Sequence, residues 1–372
     1  MERRDRWLVG IVVSLAVSVV VTGTLTVYLT LERRGEEADA EGREMAGGPH
    51  IAFVSDREGE PAVYVMDPDG ASLRRVSEVG WLAFFPAWSP DGQRVAYVGW
   101  RSEDEEAGVW VATADGADRV RVSGTVTGVT GLSPTWSPDG ARLAFVSIGD
   151  PAKTDRPDSV IHVARADGSG VERSIPLPDL VITDIEWSSA GDDLLLTAAP
   201  AGGESGVYRL PVGGVEVTEI FSRASAAAGS PDGEAVAVAA YSIHTLCIVR
   251  EGQPPEEVTQ LSGTPGEVAW SPDGAHIALA TSYGRERDFA HALSVVDIET
   301  GGMVSVVEGE GWLIWPDWSP DGQQLLFTMG PMRRRPDSDL PYADLWVYGL
   351  ATGQLEQLTF EEGFEGLGVW GR

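Results

Sequence analysis

A net charge of −30 on 372 residues, with Lys153 the only lysine, makes a surface that repels phosphate backbones and excludes nucleic acid as a partner. The one cysteine, Cys247, rules out an intrachain disulfide and a thiolate metal cage, and a buried, inert thiol is expected. With 45 Gly and 23 Pro beside 43% apolar residues, the composition suits many short strands joined by tight turns better than long helices.

The chain opens with a short basic tail, residues 1–6, followed by an uncharged run of 25 residues, Trp7 to Leu31. As a helix rising about 1.5 Å per residue, that run exceeds a hydrocarbon core of about 30 Å, and one transmembrane helix is expected. No small-residue cleavage site follows it closely, so an uncleaved signal anchor is favoured over a cleaved secretory signal. Arg3, Arg4 and Arg6 before the span, against Arg33 and Arg34 after it, point to a cytoplasmic N-terminus and an extracytoplasmic body. Release into the periplasm or medium after cleavage is the alternative. Residues 32–49 are charged and nearly free of large apolar side chains, and read as a flexible tether.

From residue 50 one string recurs: "PAWSPDGQRVAYV", "PTWSPDGARLAFV", "VAWSPDGAHIALA" and "PDWSPDGQQLLFT". In its Ser-Pro-Asp-Gly each residue suits its place in a type I turn, with Pro fixing φ at the second position and Gly easing the fourth. The run after the turn is apolar at consecutive positions, which marks a strand buried on both faces. A second hairpin follows in each unit, as in "VYVMDPDGASLRRVS" and "VWVATADGADRVRVS", giving four strands per unit. The residue before the turn falls at Trp88, Trp136, Trp187, Gly229, Trp270, Trp318 and Trp370, 41 to 52 residues apart. Four antiparallel strands at that period predict an all-β, seven-bladed β-propeller over residues 50–372, in preference to six or eight blades. The segment "LGVWGR" supplies a first strand and "HIAFVS" a second, so C-terminal and N-terminal strands are expected to pair, completing one blade and closing the ring.

These residues, "WSPDG" with an apolar strand behind it and "VSDREG" leading to "VYVMDPDG", resemble the WD-like propeller repeats of the TolB family. The resemblance implies the fold strongly. It leaves function among protein-binding modules, sensors and the propellers of prolyl-oligopeptidase-like enzymes.

Successive turns of a meander alternate between its two rims, so the repeated Asp-Gly corners share one face of the disc. Irregular loops share the other, where recognition is expected. Two aromatic connections on that face, "GWLAFFPAW" and "GEGWLIWPDW", offer Trp81, Phe84, Phe85, Trp312 and Trp315 as binding anchors, with packing between blades as the competing role. Arg333, Arg334 and Arg335 form the one dense basic cluster, a candidate anion site or a solvated loop tip. Asp184, Glu186, Glu267 and Asp317 precede the turns on first strands and could face the channel and hold a hard cation. No other cofactor is expected.

The histidines fall away from the first strands: His50 and His276 begin second strands, His162 and His244 third strands, and His291 a loop, which disfavours a shared metal site. There is no G-x-S-x-G elbow, and with the closing strand ending at Arg372 no hydrolase domain is expected to follow the propeller. The expectation is a membrane-anchored, non-catalytic binding or scaffold module for a protein or cell-envelope component. A propeller lyase or hydrolase using channel carboxylates, or a sensor of an envelope polymer or small ligand, is the alternative.

Overall fold

The computed structural model describes Gly48 and residues 50–371, apart from 102–106, 130–131, 149–158, 201, 285–289 and 332–339. The expected anchor and most of the expected tether lie outside the described residues. Among those residues every named element is a strand, and no helix is long and apolar enough to cross a membrane.

Twenty-eight strands form seven antiparallel sheets of four, as the repeat predicts. Blades 1 to 6 begin at Leu82–Trp88, Thr135–Trp136, Leu180–Trp187, Ala224–Gly229, Thr264–Trp270 and Trp312–Trp318, each running outward in sequence order. Blade 7 takes its first strand, Glu365–Trp370, from the far end of the chain and its others, Ile51–Ser55, Ala62–Met66 and Arg74–Arg75, from the near end. The closing register pairs Ile51 with Trp370 and Ser55 with Glu365.

The Ser-Pro-Asp-Gly corners fold as their chemistry requires. The Gly92 N–H donates to Ser89 O at 2.9 Å with Gly92 at φ 67°, while Asp91 accepts from the Ser89 hydroxyl at 2.5 Å and from the Gln93 N–H at 3.1 Å. Behind the corner, second strands such as Ala235–Ala240 are buried at every position, whereas fourth strands such as Glu256–Gln260 face water. The apolar core is divided. Apolar clusters fill each gap between neighbouring blades, for example Ile161, Ile175, Leu194 and Leu210 between blades 2 and 3, and two share the gap between blades 4 and 5.

Near the axis, first strands of neighbouring blades touch all the way round, and one polar latch joins each neighbouring pair. Where the residue before the turn tryptophan is apolar, the next blade's indole donates to its carbonyl. Trp136 Nε1 donates to Ala87 O, Trp270 to Ala228 and Trp318 to Ala269, each at 3.0 Å, and Trp88 to Val369 at 3.2 Å. Where that residue is polar, its side chain accepts the next blade's backbone N–H. Thr135 takes Trp187 N at 3.3 Å, Glu186 takes Gly229 N at 2.9 Å and Asp317 takes Trp370 N at 2.7 Å. In two of these three gaps the tryptophan indole, Trp187 or Trp370, is left buried without a partner; in the third no tryptophan is needed, and Gly229 stands in its place.

The remaining side chains follow the sequence reading, with one exception. Cys247 is buried and free, its thiol pushed up to about 11 by burial and by the charge of Glu257. His291 lies within the strand Ala290–Asp297 rather than in a loop, because pairing in blade 5 extends to Tyr283↔Ala290.

Candidate functional site

The channel is lined from the first strands, so the residues that face it follow from how those strands are built. Except in Thr135–Trp136, each first strand carries one extra residue near its middle, which shifts its register against the second strand. In blade 3 the shift leaves Ile182 and Ile185 in the core and Asp184 exposed. Counting back three residues from each turn-preceding position gives Phe85, Ser133, Asp184, Ala226, Glu267, Trp315 and Leu367 in blades 1 to 7.

These positions fall into two unlike groups. Blades 6, 7 and 1, adjacent across the closure, contribute Trp315, Leu367 and Phe85, which belong to one apolar cluster. All three adopt positive φ, at 55°, 54° and 57°. That region is uncommon for bulky side chains, and Trp315 and Phe85 also precede prolines, so the bulge holds these residues against their own backbone preference. In blades 2 to 5 the same count reaches Ser133, which precedes the strand Thr135–Trp136, then Asp184, Ala226, which packs against Leu261 and Leu279, and Glu267.

Asp184 is reached by water yet surrounded by protein, as a residue facing a channel must be, and burial pushes its carboxyl up to about 6. Glu267 is half-buried, and its carboxyl is raised by burial and, secondarily, by the charge of Asp184. The two carboxylates therefore feel each other across Ala226. Among the described residues neither has a side-chain hydrogen bond or ion pair.

The other candidates separate by place. Glu186 and Asp317 hold neighbouring blades together through the Gly229 and Trp370 N–H groups. Phe84, read from the sequence as part of a connection, is inside the strand Leu82–Trp88, 6% exposed and stacked on Trp100 at 5.7 Å. Trp312 opens its strand at the loop face, half-buried, stacked on Phe364 at 6.5 Å and donating through Nε1 to Pro331 O at 3.2 Å. Trp81 meets Trp110 edge-on at 4.7 Å beside a cavity of about 380 Å³ bordered by Glu78, Tyr97 and Arg119. Arg333, Arg334 and Arg335 lie outside the described residues. No group of three or more His, Cys, Asp or Glu among the described residues could hold a metal ion.

Sequence reasoning reached Asp184, Glu267, Phe85 and Trp315 separately but did not see that they stand at one offset from the turn, and it passed over Leu367, which packs with Phe85 and Trp315. The signal was a fixed offset of three residues before the turn position, hidden because the extra residue breaks simple alternation.

Comparison with known proteins places this geometry. Residues 51–267 match the family model described as the TolB beta propeller domain. Over 77 residues the chain is 38% identical to the Tol-Pal system protein TolB of Thioalkalivibrio sulfidiphilus (strain HL-EbGR7), covering 20% of this chain and 17% of that protein. Over 62 residues it is 36% identical to the uncharacterized peptidase YuxL of Bacillus subtilis (strain 168), covering 16% and 9%. Each match thus spans less than a fifth of the relative's length. Among solved structures, TolB from Acinetobacter baumannii aligns with a TM-score of 0.55 at 18% identity, over 87% of this chain and 66% of that one. Oligogalacturonate lyase from Vibrio parahaemolyticus aligns with a TM-score of 0.59 at 12% identity, over 79% and 85%. At these identities the likeness is one of fold.

Proposed function

Since the chain belongs to the TolB beta propeller family, we propose that it is a membrane-anchored, extracytoplasmic, non-catalytic module that binds a protein partner in the cell envelope through its loop face. The observation that carries this reading is a pair of half-buried tryptophans on that face, Trp312 in blade 6 and Trp81 at the entry to blade 1. Half-buried Trp312 and Trp81 lie at the loop-face ends of two first strands, and Trp312 rests on Phe364. Tryptophan with its apolar body packed and one edge exposed is the side chain most enriched at the energetic centre of interfaces. The printed name of one relative, a Tol-Pal system protein, supports a place among envelope assemblies.

The test uses the full-length chain purified in detergent and immobilised, with solubilised envelope proteins passed over it. A partner retained by the native chain and lost by Trp312→Ala and Trp81→Ala, both still folded, is the expected result. Retention of the same partner by both variants would remove the loop face from the reading. Anchoring is tested apart from binding: the native chain should stay in the membrane pellet after an alkaline wash, and deletion of residues 7–31 should release it.

A further inference from the structure

Between blades 7 and 1, beside the outer strands Gly108–Thr113 and Arg119–Arg121, lies the cavity of about 380 Å³ bordered by Trp81, Tyr97 and Trp110 with Glu78, Asp118 and Arg119. Its size falls within the range of about 300–1,000 Å³ that small-ligand pockets span. The walls are fixed by contacts within the protein. Tyr97 and Trp110 are paired on adjacent strands of blade 1, the Trp81 N–H bends the connection back onto Glu78 O at 3.3 Å, and Arg119 Nε donates across the gap to Val76 O at 2.7 Å. A site held in shape before its ligand arrives loses less on binding.

The lining mixes aromatic rings with hydrogen-bonding groups. Trp110 Nε1 is buried and meets no acceptor, a costly state for a donor, and the cavity is where an acceptor could be brought to this ring. Tyr97 is 1% exposed, and burial raises its phenol, so it offers a neutral hydroxyl. Arg119 pairs with Glu78 at 3.2 Å, and Arg75, which holds the Glu78 carbonyl at 2.8 Å, pairs with Glu58 at 2.6 Å. Asp118 adds a further negative charge.

That balance selects among ligands. An anion is opposed by the surplus carboxylate, and a cation by Arg119 and by an indole N–H that can only donate. An apolar guest would strand the polar groups of the lining without water or partner. A sugar ring satisfies all of them: its C–H faces pack on indole rings, and its hydroxyls accept from N–H groups and donate to carboxylates.

We propose that this cavity binds one uncharged pyranose ring, packed against Trp81 and Trp110, with hydroxyls that accept from Trp110 Nε1 and Arg119 and donate to Glu78 and Asp118. The site shares Trp81 with the loop-face reading but does not rest on it, and it adds sugar recognition to a module read as a protein binder.

The probes are methyl β-D-glucopyranoside, methyl β-D-galactopyranoside and methyl α-D-mannopyranoside, titrated by saturation-transfer NMR against the full-length chain in nanodiscs, with empty nanodiscs as the blank. Saturable binding of at least one glycoside, with a Kd of about 1–10 mM, is expected. Trp110→Phe keeps a ring and removes the donor, and should weaken binding by about threefold to tenfold; Trp81→Ala should weaken it by about tenfold. Asp118→Ala alters an exposed residue that the fold does not need and should weaken binding by about threefold. Trp312→Ala should leave glycoside affinity unchanged even where it abolishes partner capture, so the two readings fail separately. A disaccharide glycoside of the preferred sugar that binds as well as the monosaccharide assigns the site to the end of a glycan, and one that binds more weakly assigns it to a free sugar. A thermal melt confirms that each variant folds. The proposal is overturned if none of the three glycosides binds saturably below about 50 mM, or if methyl β-D-glucuronide, which adds a carboxylate, binds more tightly than every neutral probe. Equal affinity in the native chain and in the folded Trp110→Phe, Trp81→Ala and Asp118→Ala variants would overturn it as well.

Discussion

The Glu365 carboxylate, completely buried at the start of the closing strand, accepts a hydrogen bond from the Ser55 hydroxyl at 2.8 Å, 310 residues earlier in the chain. Arg57 Nη2 donates to the same oxygen, and its guanidinium also lies over the Tyr64 ring at 5.2 Å. The ring is therefore closed by a charge pair with a buried carboxylate and a half-buried guanidinium as well as by the strand ladder. Removing one member of a fully buried pair costs about 3–5 kcal/mol, and because the Arg57 left behind reaches water the cost here should fall at the lower end. Glu365→Ala should lower the melting temperature by about 5 to 10 °C, and Glu365→Gln by less. Deleting residues 367–372 should remove most of the stability. A melt of either Glu365→Ala or the truncated chain that overlays the native one would contradict closure as a source of stability.

The latches between blades make a second prediction. Asp317→Ala removes the acceptor of the buried Trp370 N–H and should cost about 1–3 kcal/mol, and Glu186→Ala should do the same at Gly229. Trp318→Phe keeps the apolar body but removes the donor to Ala269 O, and a cost of about 1 kcal/mol is expected, with some addition from lost volume. Urea unfolding of the three variants measures this directly. Asp317→Ala at native stability would show the contact to be incidental.

Two groups should pull the pH profile of stability in opposite directions. His162 lies between the Ser147 and Ser174 hydroxyls, each at 2.8 Å, and burial lowers it from 6.5 to about 4. The unfolded chain then binds the proton first, so His162 stabilises the fold above about pH 6.5 and that contribution fades as pH falls toward 4. Asp184 has the reverse sign. Its carboxyl is raised from 3.8 to about 6, so its contribution favours the fold at low pH and is lost as pH rises through 6. Asp184→Asn should therefore raise stability at pH 7.5, by about 1 kcal/mol after allowing for screening by channel water, and leave it unchanged at pH 4. Melts of native and variant proteins across pH 4 to 7.5 read out both signs. A gain that is equal at both ends would show that the charge is not responsible.

The turn aspartates govern the acid limit. Asp91, Asp139, Asp232, Asp273 and Asp321 are each held below the usual carboxylate range, first by the serine hydroxyl two residues earlier and also by a backbone N–H two residues later. Their contribution is present above about pH 4 and is lost as pH falls through the folded values. Ser137→Ala takes away both the hydroxyl donated to Asp139 and the acceptor of the Arg142 N–H, and about 1 kcal/mol of destabilisation is expected near neutral pH. The deficit should shrink below pH 3, measured by chemical denaturation at both values.

The architecture was legible because its chemistry repeats. Ser-Pro-Asp-Gly encodes one local turn wherever it stands, and the spacing of those turns sets the blade count. Trp88 and Trp318 were equally visible as markers, but their role as donors to Val369 and Ala269 was not, since a latch joins residues of different blades. Glu186 and Asp317 looked like channel carboxylates for the same reason: the residue that uses them lies in the next blade, and only the closed ring brings it near. Asp184 and Glu267 were placed on first strands correctly. Their exposure depends on a bulge that shifts the register by one residue, a displacement that alternation of polar and apolar residues does not record.

Blade 7 also sets an order of events. Six blades can each assemble from contiguous sequence as the chain emerges, but Ile51–Ser55 has no inner neighbour until Glu365–Trp370 has been made. Throughout synthesis the earliest strands carry an unpaired edge, the condition under which β-proteins stray into swapped or aggregated forms. The longest loop in the molecule is thus the last to close, and its rate should limit folding.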